Sequence, residues 1–174
     1  MTKNKLFGVL GLGRFGMSVA KTLAENGFEV LAVDNNYENV QLASEFATHA
    51  AKVDVADEYA LKALGISNLD IVIVAIGSSL EASVMAIVAA KDAGSKFVIA
   101  KAQNEQQKRI LEKVGADKVI LPERDMGIRI ARSLMFGNFV DYIEVSDEFG
   151  IAEIEPLDSW CGKTLAQSEI RKKH

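Results

Sequence analysis

The feature that most constrains the fold of this chain is a glycine-rich segment near its start. A short apolar run at residues 6–10 is followed at once by the sequence GLGRFG at residues 11–16. A helical pattern comes next and ends at Gly27, and a second apolar run, residues 30–33, ends on Asp34. This order of strand, glycine loop, helix, strand and acid predicts a βαβ unit that binds a nucleotide.

Each part of this segment has a physical task in nucleotide binding. Gly11 permits a tight turn, Gly13 lets a pyrophosphate approach the backbone, and Gly16 lets the helix pack close to the strand. The helix N-terminus offers N–H groups and a partial positive charge to phosphates. Asp34 can accept hydrogen bonds from ribose hydroxyls. The alternative is an ordinary glycine turn, but here the flanking strands, helix and acid all agree with nucleotide binding.

Strand and helix patterns alternate along the chain as far as Glu123. Four predicted helices end on a glycine, at positions 27, 65, 94 and 115, so the division does not rest on hydrophobicity alone. The alternation predicts an α/β fold, a doubly wound, Rossmann-type parallel sheet of about six strands. The predicted strands are residues 6–10, 30–33, 49–53, 71–76, 97–100 and 119–121.

Ligands of such a sheet bind outside the carboxyl ends of its strands. Asp54, Gly77, Lys101 and Glu123 each come at or near the end of a predicted strand. For Asp54 and Glu123 the alternative is simply that loops are polar. The candidate nucleotide-binding residues are Gly11, Gly13, Arg14, Phe15, Gly16, Asp34, Asn35, Asp54, Val55, Ile76, Gly77 and Lys101.

Among the positions that the glycine motif leaves open, Arg14 is the most informative about the ligand. Arg14 lies at the start of the predicted helix, and both its guanidinium and the helix N-terminus favour anionic oxygens. A dinucleotide needs only the backbone amides, so Arg14 together with Lys101 favours a terminal phosphate, as in ATP or ADP. Glu123 could then hold a divalent cation such as Mg²⁺ against those phosphates. The alternative for Arg14 is a solvated side chain at a helix start.

A helix predicted from Asp125 onward is different in character. Its polar residues form one narrow stripe, and apolar residues cover the rest of its circumference. Because such a helix must be buried on more than one side, and the sheet is already complete, we expect it to pack against a partner subunit. The alternative is packing under the C-terminal segment of the same chain. A hinge at residues 136–139 and strands at residues 140–145 and 151–154 are predicted to follow.

Composition narrows the class of protein further. The 174 residues carry a formal net charge of −4, so no general attraction to nucleic acid is expected. No apolar run reaches membrane-spanning length, and the polar start is too short for a signal peptide. The only cysteine is Cys161, and the only histidines are His49 and His174. These counts argue against a disulfide and a cysteine or histidine metal site, and they favour a reducing cytoplasm.

Several segments resemble the RCK family, also called KTN or TrkA-N, and within it the cytosolic regulatory subunits of Ktr-type potassium transporters. Arg14 and the segment GADKVILPERDMG are more specific than the glycine motif, which many dehydrogenases share. The resemblance covers nearly the whole chain, in VLGLGRFGMSVAKTL with VLAVD, THAAKVDVAD, DIVIVAIGSSLEAS, AKAQNEQQKRILEKVGADKVILPERDMGIRIARSL and IAEIEPLDSWCGKTLAQSEIR.

The resemblance implies two domains. Residues 1–136 would form the Rossmann nucleotide-binding RCK_N domain with its crossover helix. Residues 137–174 would form a hinge and the incomplete beginning of the C-terminal RCK_C domain. In related subunits the C-terminal domain binds cyclic di-AMP, which is expected here only through the missing part of that domain.

The resemblance also implies a regulatory role. Proteins of this family bind ATP, ADP or NAD(H), form homodimers and assemble into octameric rings. The rings lie at the inner face of the cell membrane, beneath a potassium-translocating membrane subunit. Arg14 matches the family's contact to the terminal phosphate, and Glu123 matches a cation-binding acid near the dimer interface.

Two alternative functions also use a bound nucleotide: the NAD(H)-binding cofactor domain of an oxidoreductase, and a free-standing redox sensor. A dehydrogenase needs a substrate domain and a general acid or base near the nicotinamide. The chain has no room for that domain, His49 lies at a strand start, and His174 is terminal. We therefore expect a protein that is not an enzyme.

Overall fold

The computed structural model describes residues 5–77, 79–135, 139–144, 150–154, 156 and 158–168. The chain divides into two compact units, with the boundary between Pro122 and Glu123. The predicted domain division at residues 136 and 137 and most of the predicted hinge lie outside the described residues, and both stay predictions.

The first unit alternates strands and helices, as the sequence predicts. Its elements are β1 (Leu6–Leu10), α1 (Arg14–Glu25), β2 (Glu29–Asp34), α2 (Tyr37–Ala43), β3 (His49–Lys52), α3 (Glu58–Ala63), a 3₁₀ turn (Ile66–Asn68), β4 (Ile71–Val74), α4 (Leu80–Asp92), β5 (Val98–Lys101), α5 (Glu105–Val114) and β6 (Lys118–Ile120). The four glycines predicted to end helices all have a positive φ, between +76° and +117°.

The six strands form one parallel sheet in the order β3-β2-β1-β4-β5-β6. This confirms the predicted doubly wound, Rossmann-type fold. The strand order reverses between β1 and β4, where the chain leaves the two strands in opposite directions across the sheet. A crevice for ligands forms at such a reversal, outside the carboxyl ends of the strands.

Helices cover both faces of the sheet. Along β1, Val9 contributes to the core beneath α1 and α2, whereas Leu10 contributes to the core beneath α3, α4 and α5. Both side chains are fully buried. Burial on both faces explains why the strands read as continuous apolar runs instead of an alternating pattern.

A few element ends differ from the predicted ones for local reasons. Helix α2 ends at Ala43 and not at Phe46, because the amides of Glu45 and Phe46 donate to the carbonyls only three residues earlier, so the last turn is not α-helical. The helix that follows β6 starts at Pro122, earlier than the predicted Asp125. Proline suits the first position of a helix because the missing N–H is not needed there.

The second unit is described by itself. It holds α6, two strands, a 3₁₀ turn and a short helix: α6 (Pro122–Met135), β7 (Phe139–Glu144), β8 (Gly150–Ile154), the turn Asp158–Trp160 and α7 (Leu165–Ser168). Strands β7 and β8 pair antiparallel, which confirms the two predicted strands. The end of the first predicted strand, Val145, lies outside the described residues.

Candidate functional site

The glycine loop forms a tight turn between β1 and α1. Gly11 has a φ of +95°, and its amide donates to the Val33 carbonyl at 2.8 Å. A Cβ at this position would lie 3.2 Å from the backbone of Ala75. The positive φ and this contact together require glycine, as the motif predicts.

Gly16 and Gly13 are needed for different reasons. A Cβ at Gly16 would lie 1.9 Å from the Gly11 carbonyl oxygen, so no side chain fits between α1 and the loop. A Cβ at Gly13 would meet no described atom within 4 Å, and the φ of −64° suits any residue. The protein itself therefore does not require glycine at position 13, whereas a ligand that approaches the backbone there would.

The N-terminus of α1 lacks the caps that the neighbouring helices have. Within the described residues, α1 has no side-chain cap and no acid in its first turn. Its first backbone hydrogen bond runs from Met17 N to Gly13 O, so the preceding amides have no acceptor inside the helix. By contrast, α2 to α5 are capped by the side chains of Asn36, Asp57, Ser79 and Asn104. The α1 terminus is thus suited to an external anion.

Asp34 ties the glycine loop to the end of β2. Its side chain is 8% exposed, and its two carboxylate oxygens accept from Leu12 N at 2.5 Å and from Asn36 N at 2.7 Å. Each oxygen still has a lone pair for a ribose hydroxyl. Sequence reasoning predicted the ribose role but missed this structural one. The next residue, Asn35, is exposed at the same edge.

Asp54 and Val55 follow β3, which lies beside β2. The Val53 amide donates to the Asp34 carbonyl at 3.0 Å, so the chain leaving β3 starts next to the end of β2. Asp54 is exposed and accepts from the Ala56 amide at 3.0 Å. The Val55 side chain, 8% exposed, belongs to the core, so only its backbone is available to a ligand.

Lys101, the last residue of β5, lies near both the first turn of α1 and the loop that follows β4. Its Nζ lies 5.7 Å from the centroid of the Phe15 ring, within the range of a cation–π contact. The same Nζ lies 3.7 Å from the position that a Cβ would take on Gly77. Ile76 packs against the turn, with its Cγ1 3.2 Å from a Cβ built on Gly11. Phe15, Ile76, Gly77 and Lys101 are therefore neighbours around the glycine loop.

Gln103 also belongs to this edge, and sequence reasoning missed it. Its side-chain amide donates to the Gly77 carbonyl, and its backbone amide donates to Gln107 Oε1 at 3.0 Å. The signal in the sequence was a long polar side chain two positions after the end of β5, at the edge where ligands bind.

The roles predicted for Arg14 and Glu123 are not tested by the structure and stay predictions. Arg14 is exposed at the first position of α1, and Glu123 is exposed in the first turn of α6, in the second unit. In the part of the chain that the structure describes, no group of three or more His, Cys, Asp or Glu side chains is placed to hold a metal. A cation at Glu123 would need further ligands, such as phosphate oxygens.

Helix α6 exposes apolar side chains in the isolated chain. The exposed fractions of Met126, Ile128, Ile130 and Leu134 are 50%, 40%, 53% and 79%. The expected burial of this helix against a partner subunit stays a prediction. None of the described helices is both long enough and apolar enough to cross a lipid bilayer.

Comparisons with known proteins point to one family. The sequence model of the TrkA-N domain matches residues 7–122. The Ktr system potassium uptake protein A of Bacillus subtilis is 43% identical over 99% of this chain and 78% of its own length. The Ktr system potassium uptake protein C of the same organism is 42% identical over 98% and 77%, respectively.

Two solved structures share the fold. The crystal structure of the GsuK RCK domain matches with a TM-score of 0.66 at 19% identity, over 98% of this chain and 37% of that one. The GsuK channel bound to NAD matches with a TM-score of 0.57 at 14% identity, over 68% of this chain and 22% of that one. The resemblance in sequence is thus supported by relatives and by fold.

Proposed function

Because this chain belongs to the TrkA-N domain family, we propose that it is the nucleotide-sensing regulatory subunit of a potassium uptake system. The observation that carries the proposal is the uncapped N-terminus of α1 behind a glycine loop that Asp34 holds in place. The identity of 42–43% to Ktr potassium uptake proteins, over nearly the whole chain, supports potassium uptake as the process that is regulated.

The proposed ligand is ATP or ADP, with NAD(H) as the competing ligand. The α1 terminus attracts phosphate, and Arg14 and Lys101 add two cationic side chains at the same edge of the sheet. A terminal phosphate makes more use of these cations than the diphosphate bridge of NADH does. Glu123, with a divalent cation such as Mg²⁺, is the proposed partner of that phosphate.

The proposed mode of action is a change in the geometry of an assembly. A regulator can respond to ATP and ADP only if the two ligands differ in affinity for two conformations. The exposed apolar side chains of α6 support a homodimer as the first step of assembly, and an octameric ring beneath a potassium-translocating membrane subunit is the proposed final state. The proposed location is the cytoplasm, at the inner face of the membrane, and no catalytic step is proposed.

Calorimetric titration of the purified chain with ATP, ADP and NADH tests the ligand. We expect ATP and ADP to bind more tightly than NADH. Arg14→Ala should weaken ATP more than ADP, because the guanidinium meets the additional phosphate. Tighter binding of NADH, with equal losses for ATP and ADP in the variant, would favour a redox sensor instead. Absence of binding for all three ligands would overturn the proposal.

A further inference from the structure

We propose that Gln103 is a specificity-determining residue that favours ATP and ADP over a dinucleotide, an inference that rests on the proposed function. Gln103 lies in the loop after β5, and its side-chain amide donates to the carbonyl of Gly77, in the loop after β4. We call this contact the Gln103–Gly77 bridge. It closes the part of the crevice that the second nucleoside of a dinucleotide would need.

The Gln103–Gly77 bridge crosses the carboxyl ends of β4 and β5. The sheet order places these two strands on one side of the strand-order reversal and β2 on the other side. A Rossmann sheet binds a dinucleotide with one mononucleotide on each side of this reversal. Asp34, the proposed ribose acceptor, ends β2, so the adenosine half is expected on that side. The second nucleoside would then lie on the side of β4 and β5, where the bridge is.

The Gly77 end of the bridge lies beside the glycine loop. A Cβ built on Gly11 would be 3.2 Å from the Ala75 carbonyl carbon and 3.2 Å from Ile76 Cγ1, so the chain leaving β4 packs against the tight turn. Ser79, two residues after Gly77, caps α4 by accepting from the backbone at the start of that helix. A ligand that extends from the glycine loop past β4 therefore reaches the bridge next.

The Gln103 end of the bridge is fixed by its neighbours on both sides. The Ala102 amide donates to the Ile120 carbonyl of β6 at 2.9 Å. The Gln103 amide donates to Gln107 Oε1 at 3.0 Å, while Gln107 N donates to the side chain of Asn104 at 2.9 Å. This reciprocal arrangement resembles a capping box. Because the backbone is already ordered, the side chain loses only its own rotamer freedom when it forms the bridge.

A dinucleotide could use the side of β4 and β5 only after the bridge opens. The Gly77 carbonyl would lose its donor and the Gln103 amide would lose its acceptor, which costs binding free energy unless the ligand replaces both bonds. ATP and ADP end at their phosphates, which are expected at the N-terminus of α1, and they leave the bridge intact. Since the cost is that of one uncharged hydrogen bond, NADH should bind several-fold more weakly than it would without the bridge, and not be excluded.

Calorimetric titration with ADP and with NADH tests the bridge in the wild-type chain, Gln103→Ala and Gln103→Ser. Both short side chains remove the bridge, and thermal unfolding shows whether each variant is folded. We expect NADH to bind about threefold or more tightly in both variants, with the affinity for ADP within about twofold of the wild-type value. Gln106→Ala is the matched control, because Gln106 is exposed in the first turn of α5 and should leave both affinities unchanged.

The outcomes separate this inference from the proposed function. If the wild-type chain binds ADP and the ratio of the NADH and ADP affinities is the same in the Gln103 variants, the inference is wrong and the function stands. If both ligands weaken equally in the variants, Gln103 only supports the loop, which also overturns the inference. If the wild-type chain binds neither ligand, both fail. A gain in affinity for NADH alone, absent from Gln106→Ala, supports the bridge as the specificity element.

Discussion

Asp34 has a structural role and a proposed role in binding on one carboxylate, so its replacement should affect both stability and affinity. Asp34→Ala removes the acceptor of Leu12 N and Asn36 N, and it also removes the proposed acceptor of the ribose hydroxyls. We expect the binding free energy of every adenosine ligand to weaken by about 1–3 kcal/mol. The free energy of unfolding should fall by a similar amount, about 1–3 kcal/mol, because two amides lose a charged acceptor. Calorimetry and denaturant titration measure the two quantities.

Asp57→Ala is the control that separates stability from affinity. Asp57 caps α3 by accepting from the Ala60 amide at 3.0 Å, and it is not a candidate ligand contact. This variant should lose about 0.5–2 kcal/mol of stability, as lost helix caps do, and bind nucleotide like the wild-type chain. If Asp34→Ala also kept its nucleotide affinity, the carboxylate would have only the structural role.

Asp70 and Asp117 stabilise the fold at the amino ends of the strands, away from the candidate site at the carboxyl ends. Hydrogen bonds from Lys96 and then from the Leu6 amide hold the pKa of Asp70 below its ordinary value of 3.8. Burial is the largest single influence on the pKa of Asp117 and raises it, but the lowering influences, led by the hydrogen bonds from Lys91 and then from the Val98 amide, together outweigh it. The pKa of Asp117 therefore also lies below 3.8.

These lowered pKa values predict how stability responds to acid. A carboxyl group with a lower pKa in the folded state contributes stability above its unfolded pKa, and this contribution is lost as pH falls through the folded pKa. The free energy of unfolding should therefore decline below about pH 4. Asp117→Asn should lower stability at neutral pH by about 1–2 kcal/mol and make the acid decline shallower. The exposed Asp92→Asn is the control, and an unchanged acid slope in Asp117→Asn would contradict the argument.

At the scale of the element, the turn between β1 and α1 predicts opposite effects for two of its glycines. Gly13→Ala places a methyl group in open space at an ordinary φ, so the fold should lose about 1 kcal/mol or less. Phosphate affinity should fall sharply, because the methyl group takes the space that the proposed phosphate would occupy. Gly16→Ala would collide with the Gly11 carbonyl, and we expect it to lose about 3 kcal/mol or more of stability.

Thermal unfolding and ATP titration of the two variants distinguish the two roles. A folded Gly13→Ala variant that binds ATP like the wild-type chain would mean that no phosphate approaches the loop at this position. A stable Gly16→Ala variant would mean that α1 can move away from the turn without cost. Either result would contradict the corresponding part of the site.

At the scale of the whole molecule, the exposed apolar side chains of α6 predict self-association. Ile128 and Leu134 are 40% and 79% exposed in the single chain. Replacing either residue with aspartate should dissociate the proposed dimer, because a charge would be buried in an apolar interface. Light scattering at micromolar concentration measures the mass, and circular dichroism shows whether the Rossmann sheet stays folded.

Tyr59→Asp serves as the control for this prediction. Tyr59 is 85% exposed and belongs to α3, in the first unit, so its replacement should leave the mass unchanged. A wild-type chain that scatters as a monomer would count against the dimer. An Ile128→Asp variant that stays assembled would place the interface on another surface.

The sequence by itself determined the order of the elements and the place of the glycine loop. Apolar runs, helical periodicity and glycines at helix ends are local signals, since they reflect side-chain burial and backbone φ within a few residues. Gly27, Gly65, Gly94 and Gly115 show this, because each has the positive φ that the prediction required. The parallel sheet then followed from the repeated βα units.

Only the tertiary structure decided which side chains at the strand ends contact one another. Lys101 meets Phe15 and Gly77, and Gln103 meets Gly77, because the sheet order places β4 between β1 and β5. Asp34 bonds to Leu12 because β2 lies beside β1 in register. Such contacts join residues far apart in the chain, and no local pattern encodes them, since they depend on strand order and on the exact reach of each side chain.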